Sequence, residues 1–216
     1  MKKIAISQRV EKIKAYQESR DCLDQNWTAL LNKLGMLVIP IPNTLDNPVV
    51  WLRTLQVDGV ILSGGNDLSL LSGAKNISEA RDRTEMVLLD YLATTEIPVL
   101  GVCRGMQIMH HYCGGQLTPI QNHSAREHSI RLIGDSNKLQ ESGYQTIEQV
   151  NSYHNWGIAL SSLPYELIPL AEDQVGHVEA FKYKSRPWWG IMWHPERKNL
   201  TEVKDKAFLK RIFKVS

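Results

Sequence analysis

Residues 101–105, Gly-Val-Cys-Arg-Gly, place a cysteine between two glycines where an apolar run gives way to a helical pattern. A nucleophile on a sharp turn between a strand and a helix has this form, because the strained turn requires small neighbours. The first turn of a helix also favours a thiolate, since its dipole and free N–H groups stabilise negative charge. A structural cysteine in a tight turn fits the same five residues, so this pattern alone leaves both interpretations of Cys103 open.

A candidate base for Cys103 lies 91 residues further along the chain, in the segment Trp-His-Pro-Glu at 193–196. Pro195 favours extended backbone at His194, and residues two apart in an extended segment face the same side. Glu196 is therefore placed to orient the imidazole of His194, as the acid of a catalytic triad does. Taken alone, a His-x-Glu pair is weak evidence for catalysis.

Two other chemistries fit these residues less well. An α/β-hydrolase carries its triad in the order nucleophile, acid, histidine, whereas here the acid follows the histidine. A zinc site built from Cys103 and the His-His-Tyr-Cys run at 110–113 has no C-x-x-C or H-x-x-x-H pair. Helical phase would also scatter those side chains. We therefore predict neither a metal ion nor a cofactor.

Acyl transfer requires hydrogen-bond donors for the oxyanion, and glycine-rich turns can supply them. The segment Leu-Ser-Gly-Gly-Asn-Asp at 62–67 follows a buried run. The backbone N–H groups of Gly65 and Arg104 are the candidate donors. Two glycines at the end of a strand are also common without any function.

The first half of the chain alternates apolar runs of strand length with helical patterns. This alternation predicts an α/β fold with a mostly parallel sheet covered by helices on both faces. Strand-like runs in the second half extend the sheet or add a small antiparallel patch. Ligands bind beyond the carboxyl ends of parallel strands, so residues 7–9, 63–67 and Cys103 are of interest. The predicted helices cover residues 22–34, 46–55 (beginning at Asp46), 78–93 (beginning at Ser78) and 104–113.

Length and composition set further limits. The chain has 216 residues, a formal net charge of +2 and three cysteines, and no apolar run reaches the length of a membrane helix. We expect one domain over residues 1–216, in a reducing cytoplasm, with no nucleic acid or membrane as partner. The N-terminal apolar run is too short for a signal peptide.

The motifs taken together resemble the class I glutamine amidotransferases, which have a flavodoxin-like fold. Pro-Val-Leu-Gly-Val-Cys-Arg-Gly-Met-Gln, Val-Asn-Ser-Tyr-His, Trp-His-Pro-Glu and the upstream Ile-Leu-Ser-Gly-Gly occur in that family's order. The resemblance implies a Cys103–His194–Glu196 triad that attacks a γ-glutamyl amide and forms a thioester. It also implies oxyanion donors at Gly65 and Arg104. The substrate-binding residues that it implies, together with our own candidates, are Gly64, Gln107, Asn151, Ser152, Tyr153, His154 and Arg9.

Arg104 and the segment Arg-Asp-Arg-Thr-Glu at 81–85 resemble the γ-glutamyl hydrolase, peptidase C26-like, branch of this superfamily. Residues 6–27 further resemble γ-glutamyl-CDP-amidate hydrolases, which release glutamate and cytidine diphosphoramidate in capsule phosphoramidate synthesis. A γ-glutamyl-γ-aminobutyrate-type substrate is the other specific expectation. Arginines 9, 20, 81 and 104 are candidates to bind a charged leaving group. For Arg20 and Arg81, each taken singly, a surface salt bridge is the favoured interpretation. Trp156 departs from the family pattern, which often has glutamine there.

Two alternative functions remain open on the sequence. The chain could be a glutaminase subunit that supplies ammonia to a separate synthetase partner, or a binding or regulatory protein without activity. The intact Cys103, His194 and Glu196 argue against the second alternative. A small-molecule γ-glutamyl amide is the expected partner, and the leaving group and a homodimer stay open.

Overall fold

A nine-stranded sheet forms the centre of the protein, whose computed structural model describes residues 1–120 and 123–215. The strand order is β4-β1-β5-β6-β13-β12-β11-β8-β9. Its strands are β1 (Lys2–Ser7), β4 (Met36–Ile41), β5 (Gly59–Leu62), β6 (Val99–Val102), β8 (Ser124–Leu132), β9 (Ile147–Tyr153), β11 (Leu167–Asp173), β12 (Val178–Tyr183) and β13 (Trp188–Ile191). Two small antiparallel sheets pair β2 (Arg9–Ile13) with β3 (Glu18–Cys22) and β7 (Thr118–Pro119) with β10 (Trp156–Gly157).

The sheet has a parallel half and an antiparallel half. Strands β4, β1, β5, β6 and β13 run parallel, and β12, β11, β8 and β9 continue the same sheet in antiparallel pairs. This confirms the predicted α/β class with a mostly parallel sheet. The runs of the second half extend that sheet, because β12 pairs with the last parallel strand, β13.

Six α-helices lie within the described residues, and a side-chain cap is present at the start of each of the first three. The helix predicted from residue 22 begins only at Gln25, because Cys22 pairs with Arg9 in the β2–β3 hairpin. Asn47, rather than Asp46, caps the second helix by accepting a hydrogen bond from the Val50 N–H at 3.0 Å. The helices are α1 (Gln25–Lys33), α2 (Pro48–Leu55), α3 (Glu79–Leu92), α4 (Arg104–Tyr112), α5 (Asn137–Gln140) and α6 (Glu202–Ile212).

Apolar side chains fill both faces of the sheet. One cluster, which includes Trp27, Trp193 and Phe208, packs beneath α1 and α6. The other, which includes Leu88, Met106 and Trp188, packs against α3 and α4. No helix within residues 1–120 and 123–215 combines the length and the apolar character that crossing a membrane requires.

Candidate active site

Three neighbouring parallel strands deliver the candidate residues to one edge of the sheet. Cys103 follows β6, His194 lies shortly after β13, and the segment Ser63–Gly65 follows β5. The register aligns Leu62 with Gly101 and Gly190 with Gly101, so these strands end side by side. The parallel sheet therefore brings together groups that are far apart in the sequence.

Cys103 occupies a strained turn at the start of α4. Its backbone has φ 52° and ψ −108°, and its N–H donates to the Ile191 carbonyl at 2.8 Å. A positive φ at a residue other than glycine costs about 1–3 kcal/mol, so the surrounding structure must hold it in place. Gly105 makes the turn possible, because a Cβ there would lie only 1.8 Å from the Leu62 carbonyl oxygen.

The imidazole of His194 is buried and is held by a carboxylate. Its Nδ1 lies 2.7 Å from Glu196 Oε1, and only 2% of its side chain is exposed. Burial lowers the pKa of His194, but the negative charge of Glu196, followed by the effect of Cys103, outweighs burial and raises the pKa to about 9. The Nε2 atom has no hydrogen-bond partner among the described residues, so this nitrogen is available to a reacting group.

The space beside this imidazole leaves no room for a side chain at Gly64. A Cβ built there would lie 2.6 Å from His194 Cε1 and 3.5 Å from Cys103 Cβ. Both side chains therefore lie next to Gly64. The prediction that Gly64 contacts substrate stays untested, but the structure gives this residue a steric reason to be glycine.

Asn151 holds the backbone of His194 from both sides. Its amide nitrogen donates to the His194 carbonyl at 2.9 Å, and its oxygen accepts from the His194 N–H at 2.8 Å. Tyr153, two residues further along β9, has its ring nearly perpendicular to the imidazole, with centroids 5.5 Å apart. Asn151 thus positions the candidate base, whereas Tyr153 is 41% exposed and faces the solvent side of the site.

Three other predicted substrate residues, Gln107, Ser152 and His154, lie deeper in the protein. Gln107 donates to the Trp156 carbonyl at 3.0 Å, and His154 Nδ1 lies 3.1 Å from the same oxygen. Ser152 is fully buried and donates to the His123 carbonyl. Burial lowers the pKa of His154. The structure gives each of these side chains a partner within the protein, and their predicted contacts with substrate stay untested.

A buried arginine clamps the glycine segment after β5. Arg81 donates to the carbonyl oxygens of Ser63 at 2.6 Å and Gly64 at 3.1 Å, and also to that of Gly65. Three successive carbonyls therefore face one guanidinium group. Burial, followed by the nearby charge of Arg104, lowers the pKa of Arg81 to about 10.

The segments Cys-Arg-Gly and Arg-Asp-Arg-Thr-Glu form one ionic network. Glu85 accepts from Arg81 Nε at 2.9 Å and pairs with Arg104, which also pairs with Asp82. Burial alone would raise the pKa of Glu85, but Arg104 and Arg81 outweigh it and hold that pKa below its usual value. Because Arg81 and Arg104 are at most 1% exposed, the expectation that their side chains bind a leaving group is wrong.

The mouth of the site carries other arginines. A small cavity of about 30 Å³ is bounded by Gly64, Gly65, His194 and Glu196 and by residues of the β2–β3 hairpin and the start of α1. Arg9 and Arg197 both line it. Arg9 pairs with Glu11, while Arg197 stacks on Tyr153 with its guanidinium carbon 4.1 Å from the ring centroid. Arg197 was not predicted, although its position directly after Glu196 was a usable signal.

Comparisons with known proteins agree with this architecture. The Peptidase C26 family model matches residues 3–196. A γ-glutamyl-CDP-amidate hydrolase of Campylobacter jejuni is 35% identical over 91% of this chain and 90% of its own length. The glutamine-hydrolysing GMP synthase subunit of Archaeoglobus fulgidus is 29% identical over 77% of this chain and 79% of its own length. The solved structure of a glutamine amidotransferase from Thermotoga maritima, 14% identical, superposes with a TM-score of 0.73 over 98% of each chain.

Proposed function

This chain is an amidohydrolase that belongs to the Peptidase C26 family, and we propose that it cleaves γ-glutamyl amides through a triad of Cys103, His194 and Glu196. The observation that carries the proposal is the strained turn at Cys103 beside a buried imidazole that a carboxylate holds at 2.7 Å. A nucleophile, a base and an orienting acid are the groups that covalent acyl transfer requires.

In the first step the Cys103 thiolate attacks the γ-carbonyl carbon of the substrate. The carbonyl oxygen becomes an oxyanion, which the backbone N–H groups of Gly65 and Arg104 stabilise. The imidazolium of His194 then protonates the amide nitrogen, the C–N bond breaks, and the amine leaves. The product on the enzyme is a γ-glutamyl thioester of Cys103.

In the second step His194 is neutral and takes a proton from water. The resulting hydroxide attacks the thioester carbon, the C–S bond breaks, and glutamate leaves while the Cys103 thiolate returns. Glu196 stabilises the imidazolium in both steps through the Nδ1 contact. The chain's own side chains supply every proton transfer in this scheme.

Substitution of the nucleophile tests the triad. Cys103→Ala should lower kcat by at least about 10³-fold, because loss of a triad nucleophile removes the covalent route. Cys113→Ala is the matched control, since this cysteine lies at the far end of α4 and is partly buried. Mass spectrometry of acid-quenched enzyme should detect the glutamyl adduct on Cys103. Undiminished hydrolysis by Cys103→Ala would overturn the mechanism.

The leaving group that we favour is anionic, such as the cytidine diphosphoramidate implied by the name of the Campylobacter jejuni relative. Two arginines, Arg9 and Arg197, line the cavity that His194 also lines, and both are partly exposed. Guanidinium groups suit phosphate oxygens because they donate in a planar fork. A product with a diphosphate group would indicate a role in capsule phosphoramidate synthesis.

Substrate comparison tests the leaving group. Arg9→Gln and Arg197→Gln should each lower kcat/KM for γ-glutamyl-CDP-amidate by about 10- to 100-fold, the loss of one charge-assisted hydrogen bond. The same variants should leave kcat/KM for γ-glutamylputrescine, whose leaving amine is a cation, within about threefold. Arg211→Gln is the control, because Arg211 pairs with Glu141 away from this cavity. An equal loss on both substrates would contradict an anionic leaving group.

A second candidate function follows from the similarity to the glutamine-hydrolysing GMP synthase subunit of Archaeoglobus fulgidus. In that case the chain would hydrolyse glutamine and pass ammonia to a synthetase partner. Glutaminase activity of the purified chain that stays low until a synthetase is added would favour this function. Rapid hydrolysis of γ-glutamyl amides by the chain alone, with little activity on glutamine, would exclude it.

A further inference from the structure

Four of the seven histidines lie together near the antiparallel half of the sheet, in a place that the proposed chemistry does not use. The ring centroid of His123 lies 4.8 Å from that of His128, 5.2 Å from that of His154 and 6.0 Å from that of His177. The carboxylates of Asp173 and Glu179 contact these histidines. We call the group the histidine cluster; its members are His123, His128, His154, His177, Asp173 and Glu179.

Glu179 is the member that most needs an explanation. Its side chain is 1% exposed, and neither carboxylate oxygen has a hydrogen-bond partner within the described residues. Within the described residues, Glu179 forms ion pairs with His128 and His154 and with no lysine or arginine. A buried carboxylate without hydrogen bonds is costly unless a cation accompanies it.

The spacing around Glu179 resembles that of metal ligands. His128 Nε2 lies 3.4 Å from one oxygen and His154 Nε2 lies 3.7 Å from the other, both longer than ordinary hydrogen bonds. Two ligands of a tetrahedral zinc ion, each about 2.0–2.1 Å from the metal, lie roughly 3.3–3.4 Å apart. The His154 side chain is 1% exposed, and its Nε2 atom also lacks a hydrogen-bond partner among the described residues.

We propose that the histidine cluster binds a divalent transition-metal ion, with His123, His128 and Glu179 as ligands. One ligand atom from each of these residues lies within 4.8 Å of the others, so small side-chain rotations close the site. His154 lies beside Glu179 as the candidate fourth ligand. The site is separate from the triad and goes beyond the proposed function.

Asp173 gives the site its outer support. Its Oδ2 atom lies 3.0 Å from His123 Nε2 and 2.9 Å from His177 Nδ1. Its other oxygen accepts from the His177 N–H at 2.8 Å, which fixes the carboxylate. Metal-bound imidazoles commonly contact such a carboxylate, which orients the ring and strengthens it as a ligand.

The donor set selects the class of metal. Imidazole and carboxylate ligands without sulfur suit Zn²⁺, Co²⁺, Ni²⁺ and Cu²⁺, whereas Mg²⁺ and Ca²⁺ prefer oxygen ligands. The side chains of His128 and His177 are 17% and 21% exposed, so an ion can enter from solvent. A bound ion would link His123 and strand β8 to strand β12, and to the residue that follows β9.

Metal titration tests the site. All variants carry Cys103→Ser, so that the candidate nucleophile cannot bind the metal, and all are treated with a chelator and desalted. Calorimetry with ZnCl₂ should show one equivalent bound per chain, and CoCl₂ should produce the visible absorption of a tetrahedral cobalt site. Glu179→Gln and His128→Gln should each weaken zinc binding by at least about 100-fold, while His111→Gln, outside the cluster, should bind as the parent does.

Several outcomes would overturn the proposal. One is the absence of saturable zinc or cobalt binding by a folded parent protein, which would make Glu179 the partner of a histidine cation. Another is equal binding by His128→Gln and His111→Gln. A cobalt–thiolate charge-transfer band would assign the ion to a cysteine. If Glu179→Gln does not fold, the comparison of the two histidine variants decides the question.

Discussion

Gly64→Ala tests whether the catalytic geometry depends on the absence of a side chain. The added Cβ would lie 2.6 Å from His194 Cε1 and 3.5 Å from Cys103 Cβ. Carbon atoms in contact prefer a separation of about 3.5–4.0 Å, so the imidazole must move by roughly 1 Å or more. The Asn151 hydrogen bonds and the Glu196 contact oppose this movement, because they hold both the backbone and the ring of His194.

The expected loss follows from that displacement. A misplacement of about 1 Å in a catalytic group can cost on the order of 10²-fold in rate, equivalent to about 2.7 kcal/mol of transition-state stabilisation. The Cys103 Cβ contact at 3.5 Å is ordinary, so the nucleophile itself should stay in place. We therefore expect Gly64→Ala to lower kcat/KM for a γ-glutamyl amide by about 100-fold or more.

The assay combines steady-state rates with a measure of folding. Gly73→Ala is the matched control, because a Cβ there meets nothing within 4 Å although its φ of +85° strains the backbone more. Both variants are compared by thermal unfolding and by the rate of hydrolysis. Gly73→Ala should lose stability with little loss of activity, whereas Gly64→Ala should lose activity while it remains folded. A folded Gly64→Ala variant with kcat/KM within twofold of the parent would refute the reasoning.

Four further outcomes test other parts of the protein. Glu196→Gln should move the fall of kcat/KM at high pH to lower pH, because Glu196 helps raise the pKa of His194 to about 9. Initial rates measured over a pH series test this, and a fall at the same pH as in the parent would contradict it. Because the pKa of His194 is higher in the folded protein, its imidazolium also stabilises the fold. This contribution to the free energy of unfolding is complete below about pH 6.5 and is lost as pH rises through about 9. Glu85→Gln should lower the free energy of unfolding by about 3–5 kcal/mol, since it leaves the buried Arg81 guanidinium without its carboxylate partner. In urea unfolding, Arg83→Gln, which breaks an exposed pair of the same helix, should barely move the midpoint, and equal shifts would refute the argument. Asn151→Ala should lower kcat about 10- to 100-fold with KM within about twofold; a raised KM with unchanged kcat would instead assign Asn151 to substrate binding.

Local patterns were sufficient to predict β5 and β6 and the residues at their ends. The apolar runs before Gly64 and Cys103 are continuous because those strands are buried on both faces, so they identify β5 and β6. Pro195 and the two-residue spacing of His194 and Glu196 were enough to predict that these two side chains face the same side of the chain. The structure brings these residues together as parallel strands end at a common edge.

Long-range pairing was beyond such patterns. The local sequence does not distinguish the buried Arg81–Glu85 pair from the exposed Arg83–Glu79 pair, because both pairs have the same spacing on one helix. Only the approach of Arg104 from another helix makes the first pair part of a network. The histidine cluster is similar, since its members come from separate strands and loops whose antiparallel register no short motif specifies.

Strand β13 has a consequence for the order in which the chain can fold. It is the strand at which the parallel and antiparallel halves of the sheet join (the seam), because it pairs with β6 on one side and with β12 on the other. Until residues 188–191 have been made by the ribosome, β6 is an open, apolar edge, and the two halves have no strand in common. The same seam delivers His194. A nascent or truncated chain that ends before β13 would therefore carry Cys103 without its base, and would expose an edge prone to aggregation.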